Sequence, residues 1–181
     1  MRMTVWAILM VALVGTPGAG QVVSAPALPA NLGAYALADT RIFADTLLGT
    51  WYRYTAGRER VVEVMVQPSV TAEGRAATGE DTIERAVASF KTVRVRQAGT
   101  RPMQFAVDRP DTVAVGTRVV RGHVVQANIG SDVERTTVLR VYPLGGRYVR
   151  IVGSVPVGSA DRELASFAQE LLPALVAAWG L

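Results

Sequence analysis

Two stretches near the C-terminal end alternate apolar and polar residues on either side of a glycine pair. Residues 136–142 and 147–155 flank Pro143-Leu-Gly-Gly146, and alternation with period two around glycines predicts a β-hairpin. A loop with an odd number of residues, centred on Gly145, fixes the register. The cross-strand pairs predicted by that register are Tyr142 with Tyr148, Arg140 with Arg150, and Val138 with Val152.

The alternate positions of this hairpin, Leu139, Val141, Val149 and Ile151, form an aliphatic face in that register. A helical pattern follows from Ser159 to Trp179, with apolar residues at three- and four-residue spacing that can cover such a face. Those residues are Leu164, Phe167, Leu171 and Leu175. Pro173 interrupts the pattern and predicts a kink or a break near Leu172, which would leave residues 174–181 as a short apolar tail.

The earlier part of the chain contains further strand patterns and one well-marked helix. Residues 50–55 and 60–67 predict two strands, and residues 80–97 predict a helix with acidic residues in its first turn and Gly99 beyond its end. Residues 39–48 predict a short helix. Strands are also predicted over residues 101–107, 112–115 and 117–129, with a turn at residues 108–111. Short links between strands demand antiparallel pairing, so we expect an α+β layered sandwich of an antiparallel sheet and two main helices.

The N-terminal 20 residues form a separate unit. Arg2 precedes a short apolar run and a segment of small residues, which favours a secretory signal peptide over a retained membrane anchor. Membrane contact would involve Val5, Trp6, Ile8, Leu9 and Leu13. Residues 21–48 are interpreted as a linker or membrane-surface segment, and residues 49–181 as a single α+β domain. A positive charge before the apolar run predicts an exported domain on the periplasmic side, associated with the membrane.

Composition narrows the range of functions. The chain has 181 residues, no cysteine, and 19 basic against 15 acidic residues, and the formal charge of +4 is spread along the chain. Without a basic block, we expect no nucleic-acid partner. Without cysteine, there are no disulfides, thiolate metal sites or thiol nucleophiles.

No residue pattern indicates catalysis. His123 is the single histidine, and no serine or aspartate lies at a spacing from it that would indicate a catalytic triad. The best carboxylates for a metal fit no calcium-loop pattern, and turn-forming aspartate explains three of them. They are Glu63, Asp108, Asp111, Asp132 and Glu134. We therefore expect no enzyme activity, no cofactor and no metal.

The most distinctive surface feature predicted by the sequence is a ladder of arginine and tyrosine on the hairpin. Arginine and aromatic side chains are enriched at protein interfaces, and Trp179 lies in the apolar tail. The predicted interface residues are Arg140, Tyr142, Tyr148, Arg150 and Trp179. A solvated or helix-covered sheet face is the competing interpretation.

The order of elements, and the segment Arg147-Tyr-Val-Arg-Ile-Val-Gly-Ser-Val-Pro156 leading into an Ala/Leu/Phe helix, resemble small exported bacterial proteins of unknown function. More remotely, the pattern over residues 50–179 resembles the PsbP-like extrinsic proteins of photosynthetic membranes. That resemblance implies a non-enzymatic domain held at the outer face of a membrane complex. It identifies no binding or catalytic residue in this chain.

Two functional hypotheses follow. The first is a non-catalytic accessory subunit on the periplasmic face of a bacterial membrane complex, of the photosynthetic or another bioenergetic kind, with other protein subunits as partners. The second is a soluble periplasmic module that binds a small or lipidic ligand between sheet and helix, with the loop at residues 68–79 as a lid.

Overall fold

The fold is described from a computed structural model, which describes residues 25–71, 74–130 and 135–180. Within these ranges the chain forms eight strands and two long helices, which confirms the α+β class. In chain order they are β1 (Asn31–Leu32), β2 (Tyr35–Ile42), β3 (Thr50–Ala56), β4 (Arg60–Pro68), α1 (Gly79–Ala98), β5 (Met103–Val115), β6 (Arg118–Ile129), β7 (Arg135–Leu144), β8 (Arg147–Pro156) and α2 (Ala160–Trp179).

All eight strands belong to one antiparallel sheet with the order β1-β2-β3-β4-β8-β7-β6-β5. The C-terminal hairpin therefore lies in the middle of the sheet, where β8 pairs with β4 and β7 pairs with β6. The hairpin joins the strands that precede α1 to those that follow it. This position explains why most residues of β7 are buried on both sides of the sheet.

One face of the sheet, which we call the first face, packs against α2. Leu164, Leu171 and Leu175 of α2 are fully buried, and they meet β4 and β8 side chains such as Val64 and Ile151. Residues 25–32 extend this cover, because the Tyr52 hydroxyl donates to the Pro26 carbonyl oxygen at 2.9 Å and the Tyr54 hydroxyl donates to the Pro29 carbonyl oxygen at 3.0 Å. The first face is therefore covered along most of its width.

The opposite, second face is covered only in part. Helix α1 lies over β6, β7 and β8, where Phe90 packs against Val125, Leu139 and other apolar residues. Thr78 caps the start of the helix, since its hydroxyl accepts from the Asp81 amide at 3.1 Å, and Gly99 follows the end of the helix, as the sequence indicates. Over β3 and β4 the second face carries half-buried and exposed residues, in contrast to the buried residues of the same strands on the first face.

The C-terminal hairpin is confirmed, but its predicted register is wrong by one residue. The turn consists of two residues, Gly145 and Gly146, both with positive φ (55° and 73°), and Leu144 pairs with Arg147. Two-residue turns of this kind match the twist of the flanking strands. As a result, the predicted pairs do not form, and Arg140 lies opposite Ile151 while Arg150 lies opposite Val141. Both the ladder and the predicted aliphatic face are therefore divided between the two faces.

The strands at the N-terminal end correct another prediction. The short helix predicted over residues 39–48 does not form, because residues 35–42 belong to β2 and pair with β3. The linker interpretation is likewise wrong for residues 31–42, because β1 and β2 are part of the sheet, whereas the membrane-surface alternative stays a prediction. Residues 1–20, including the predicted membrane residues Val5, Trp6, Ile8, Leu9 and Leu13, lie outside the described residues. Among the described helices, none is long and apolar enough to cross a membrane.

Two expected interruptions are absent. The turn predicted at residues 108–111 is part of the continuous strand β5, where Pro110 is tolerated because β5 is an edge strand. Pro173 does not break α2, which continues to Trp179. Leu172 and Leu175 are fully buried on either side of the proline, so tertiary packing holds the helix together.

Candidate functional site

Two of the predicted interface residues belong to a buried ion cluster on the first face. Arg140 is 1% exposed and Tyr142 is fully buried, so neither side chain is available to a partner in this fold. The Arg140 guanidinium bonds to the carboxylates of Asp111 and Asp161, and it donates to the Asp161 carbonyl oxygen at 2.9 Å. The Tyr142 hydroxyl donates to Asp111. The cluster thereby ties β5 and the start of α2 to the central hairpin.

The sequence around this cluster explains how it fits into the core. Gly122 of β6 lies opposite Asp111, and a Cβ at this position would come within 2.4 Å of the Tyr142 ring. Burial raises the pKa of Tyr142, and the adjacent Asp111 carboxylate raises it further. The tyrosine therefore stays neutral and acts as a hydrogen-bond donor. Because both aspartates bond to Arg140, the cluster is a structural element of the fold.

The other two members of the predicted ladder lie on the second face, beside α1. Tyr148 and Arg150 of β8 line hollows between this helix and the uncovered part of the sheet. We call this depression the α1 groove and define it by β4, β8 and α1 residues. They are Glu63, Met65, Tyr148, Arg150, Val152, Ser89, Val93 and Arg94.

Two arginines line the same part of the α1 groove. Arg94 of α1 and Arg150 of β8 line a common cavity of about 130 Å³, together with Glu63. Burial lowers the pKa of Arg94, and the positive charge of Arg150 lowers it further, whereas Glu63 acts in the opposite direction. Across the described ranges, neither guanidinium has a carboxylate within ion-pair distance. The groove therefore carries a surplus of positive charge.

The strands beside the groove add aromatic and apolar surface. Trp51 and Arg53 of β3 lie on the second face next to Met65 and Glu63, their partners on β4. The Arg41 guanidinium lies 5.1 Å from the centre of the Trp51 ring. Leu47, which also lines one of the groove hollows, is 55% exposed. Arginine, tryptophan and methionine are the residue types enriched at the centres of protein interfaces.

Trp51, Arg53 and Met65 were not identified as site residues from the sequence, although a signal was present. Between residues 52 and 66, the first-face positions of β3 and β4 are apolar or aromatic except Arg60, while the second-face positions include the charged residues Arg53 and Glu63. In β7, by contrast, nearly all residues around Arg140 are apolar. The contrast between an alternating strand and a continuous one distinguishes a half-exposed strand from a doubly covered one.

His123 takes part in a second polar cluster, at the other side of α1. Its Nε2 lies 2.8 Å from Asp108 Oδ1, and the other Asp108 oxygen bonds to Lys91 of α1. Burial alone would raise the pKa of Asp108, but hydrogen bonds from Lys91 and His123 outweigh burial and lower it. The cluster connects α1 to β5 and β6. Asp108 thus connects β5 to α1 and β6, and Asp111 connects β5 to β7, so the prediction that they form a turn is wrong.

Of the other carboxylate candidates, Glu63 lies in the α1 groove, and Asp132 and Glu134 lie outside the described residues. No group of three or more potential metal-binding side chains occurs in residues 25–71, 74–130 and 135–180. Trp179 ends α2 and packs against the first-face core, with the Arg147 guanidinium 4.3 Å from the centre of its ring. Its predicted interface role stays a prediction.

A larger cavity of about 480 Å³ lies at the rim of the first face, between the turn after β1 and the start of α2. The Glu163 carboxylate in this cavity already has partners, because Tyr35 bonds to it and the Arg60 Nε lies 3.7 Å from the same oxygen. The ligand site predicted between the sheet and the C-terminal helix is at a different location from this cavity. At that location the α2 side chains are buried against the strands. That space offers no support for the small-ligand hypothesis.

The comparisons with known proteins show a remote similarity at the level of solved structures. No protein-family model matches the chain, and no curated protein matches it. Among solved structures, it is similar to the solution structure of cyanobacterial PsbP (CyanoP) from Synechocystis sp. PCC 6803, with 15% sequence identity and a TM-score of 0.44. The match covers 76% of this chain and 79% of the other. This chain thus shows a remote resemblance to a PsbP-like protein, in agreement with the resemblance noted from its sequence.

Proposed function

We propose that this protein is a non-catalytic accessory subunit that docks onto another protein subunit through the α1 groove and the adjoining surface of β3 and β4. The observation that carries the proposal is the half-covered second face. An antiparallel sheet tolerates one solvated face, but this surface presents Trp51 and Met65 beside Arg94 and Arg150. Neither arginine has a carboxylate within ion-pair distance in the part of the chain that the structure describes. The combination suits a partner segment with both apolar and acidic side chains.

The surroundings of the groove favour a separate protein as its occupant. Residues 25–30 run along the first face, held by Tyr52 and Tyr54, so the described start of the chain is on the opposite side of the sheet. A lipid surface suits the groove less well, because α1 rises beside the uncovered strands and Glu63 lies in the depression. A peptide segment can enter such a groove, whereas a bilayer is broad and flat.

The location of this subunit and the kind of complex it joins are also part of the proposal. Export to the periplasmic side and association with a membrane rest on the apolar pattern of the first 20 residues. A photosynthetic or other bioenergetic complex rests on the sequence resemblance to PsbP-like extrinsic proteins. The docking surface rests on neither, because it follows from the side chains of β3, β4, β8 and α1.

The test is site-specific cross-linking in the protein's own cells, followed by native separation of membrane complexes. A photoreactive phenylalanine analogue replaces Met65, and the matched control carries it at Val119 of β6, which is 67% exposed and lies away from the groove. We expect one discrete cross-linked protein from position 65, none from position 119, and co-migration of the full chain with that protein. Met65→Glu should release the chain from the complex, whereas Val119→Glu should not.

The contrary result would be equally clear. If Met65→Glu leaves the chain in the complex while position 119 cross-links to the partner, the docking surface is elsewhere. If the native chain is recovered from its own cells as a free monomer in the soluble fraction, it is not a subunit of a membrane complex.

A further inference from the structure

The α1 groove has a local chemical preference that follows from its two arginines. Arg94 projects from the helix and Arg150 from the central strand β8, so two rigid elements hold them at the same cavity. The guanidinium carbon of Arg94 also lies 5.0 Å from the centre of the Phe90 ring, which restricts the side chain. Their positions are therefore set by the fold before any partner arrives.

Some hydrogen-bond donors of Arg94 and Arg150 have no acceptor among the described residues. Arg94 Nη1 donates to the Gln97 side-chain oxygen at 2.6 Å, but the Nε atoms of both Arg94 and Arg150 are buried without a partner there. Buried donors without acceptors are unfavourable, and so are two like charges in a half-buried space. Glu63 supplies one negative charge against two positive ones.

Resting on the function proposed above, we propose that the cavity between Arg94 and Arg150 binds a carboxylate from an aspartate or glutamate side chain of the docked partner segment. A guanidinium presents several N–H donors in a planar fork that matches the two oxygens of a carboxylate. An incoming carboxylate would balance the second positive charge. It would also provide acceptors for donors of the two guanidinium groups.

The neighbouring residues limit what else can enter. Met65, Phe90, Val93 and Val152 line the same cavity, so a carboxylate carried on an apolar stem fits better than a fully hydrated inorganic anion. Glu63 competes with the incoming group for the same arginines. This competition gives the site a distinctive signature, because removing Glu63 should strengthen binding.

The test uses the full chain and a fluorescein-labelled hexaglutamate peptide, with hexaglutamine as the uncharged probe and anisotropy as the readout. We expect hexaglutamate to bind and hexaglutamine not to bind. Arg150→Gln and Arg94→Gln should each weaken hexaglutamate binding roughly tenfold or more, as expected for a hydrogen bond between charged groups. Arg150→Lys should fall between the native chain and Arg150→Gln, since it keeps the charge and loses the fork.

Two matched variants separate this site from general attraction to a basic protein. Arg118→Gln removes the same charge from the exposed start of β6, away from the groove, and should change binding less than twofold because exposed charges are screened. Glu63→Gln should strengthen binding by roughly threefold or more, since a nearby like charge is removed. Thermal unfolding of each variant confirms that it is folded.

Several outcomes would overturn the inference. Equal losses in Arg118→Gln and Arg150→Gln, weaker binding in Glu63→Gln, or displacement of the peptide by equimolar phosphate would each show that no carboxylate site exists. Binding to anionic phosphatidylglycerol vesicles that depends on Arg150, without peptide binding, would identify lipid as the occupant. If cross-linking from position 65 persists while Arg150→Gln changes nothing, the docking surface stands and the carboxylate site does not.

Discussion

Arg140 and Arg150 lie ten residues apart in the same central hairpin, but their side chains have opposite environments in the fold. Arg140 lies on the first face, is 1% exposed and bonds to Asp111 and Asp161. Arg150 lies on the second face, lines the α1 groove and has Arg94 as a charged neighbour. One arginine is neutralised within its own chain, whereas the other adds to an uncompensated positive charge.

This difference separates a structural charge from a candidate binding charge. A buried arginine with two carboxylates contributes to the arrangement of its own fold, and losing it leaves those carboxylates uncompensated. A half-buried arginine beside another arginine adds little or nothing to stability. The presence of an arginine at this position is easier to explain if an anionic group binds there. The two sites should therefore respond differently to the same substitution.

The largest expected effect is the loss of Arg140. Arg140→Met should destabilise the protein by about 3 kcal/mol, because it removes the positive charge that compensates Asp111 and Asp161. Urea unfolding followed by far-UV circular dichroism measures the change. Adding Asp111→Asn should restore part of the loss, since one of the two uncompensated charges is then removed. If Arg140→Met and Arg150→Met cost the same, the proposed distinction between the two arginines is wrong.

A smaller effect is expected where α2 closes over the first face. A Cβ at Gly153 would lie 2.4 Å from Leu164 Cδ1, so Gly153→Ala should overpack the interface and cost about 1 to 3 kcal/mol. Gly158→Ala is the matched control, because its Cβ would have no neighbour within 4 Å. Thermal unfolding of the two variants measures the difference. Similar melting temperatures would mean that α2 does not approach β8 this closely.

The cluster beside α1 should contribute less and should depend on pH. Because the folded state lowers the pKa of Asp108, its contribution is complete above the unfolded-state pKa of about 3.9 and is lost as the pH falls through the lower folded-state value. Asp108→Asn should therefore cost under about 1 kcal/mol at pH 7, given its partly exposed ion pairs. The difference from the native chain should shrink towards pH 3. Urea midpoints from pH 5 down to pH 3 test this, and a difference that grows over this range would contradict it.

The smallest effect is expected for the arginine on the second face. Arg150→Gln should change stability by less than about 0.5 kcal/mol, or stabilise slightly, because it relieves the repulsion with Arg94. The same urea measurement as for Arg140→Met provides a direct contrast within one hairpin. A loss of about 2 kcal/mol or more would show that Arg150 is a structural residue after all.

Local pattern was sufficient to predict several elements of the fold. The strong alternation of β3 and β4, together with the helix signals at Asp81 and Gly99, identifies elements that depend on neighbouring residues. β2 was missed because its sequence Tyr-Ala-Leu-Ala-Asp-Thr-Arg-Ile has few β-branched residues, and pairing with β3 overrides that weak preference. Pro110 and Pro173 were read as breaks, whereas an edge position and tertiary packing accommodate them.

The candidate site depends on longer-range information than the elements do. The carboxylates that neutralise Arg140 lie 29 and 21 residues away in sequence, on a different strand and helix. The approach of Arg94 to Arg150 depends on where α1 crosses the sheet, which no local pattern specifies. The sequence therefore identifies Arg150 as unusual but does not identify its neighbour. It also cannot show that Arg140, at an apparently equivalent position, is buried.

The turn at Gly145 and Gly146 has a consequence for how this protein can change during evolution. Side chains alternate strictly along β7 and β8, and the Leu144–Arg147 pair that closes the turn sets which side chains meet α1 and which meet α2. Insertion or deletion of one residue within either strand would exchange the two sets beyond that point and place Arg140 or Arg150 in the wrong layer. A longer turn can keep the same closing pair. We therefore expect related sequences to vary in length at this turn and not within the two strands.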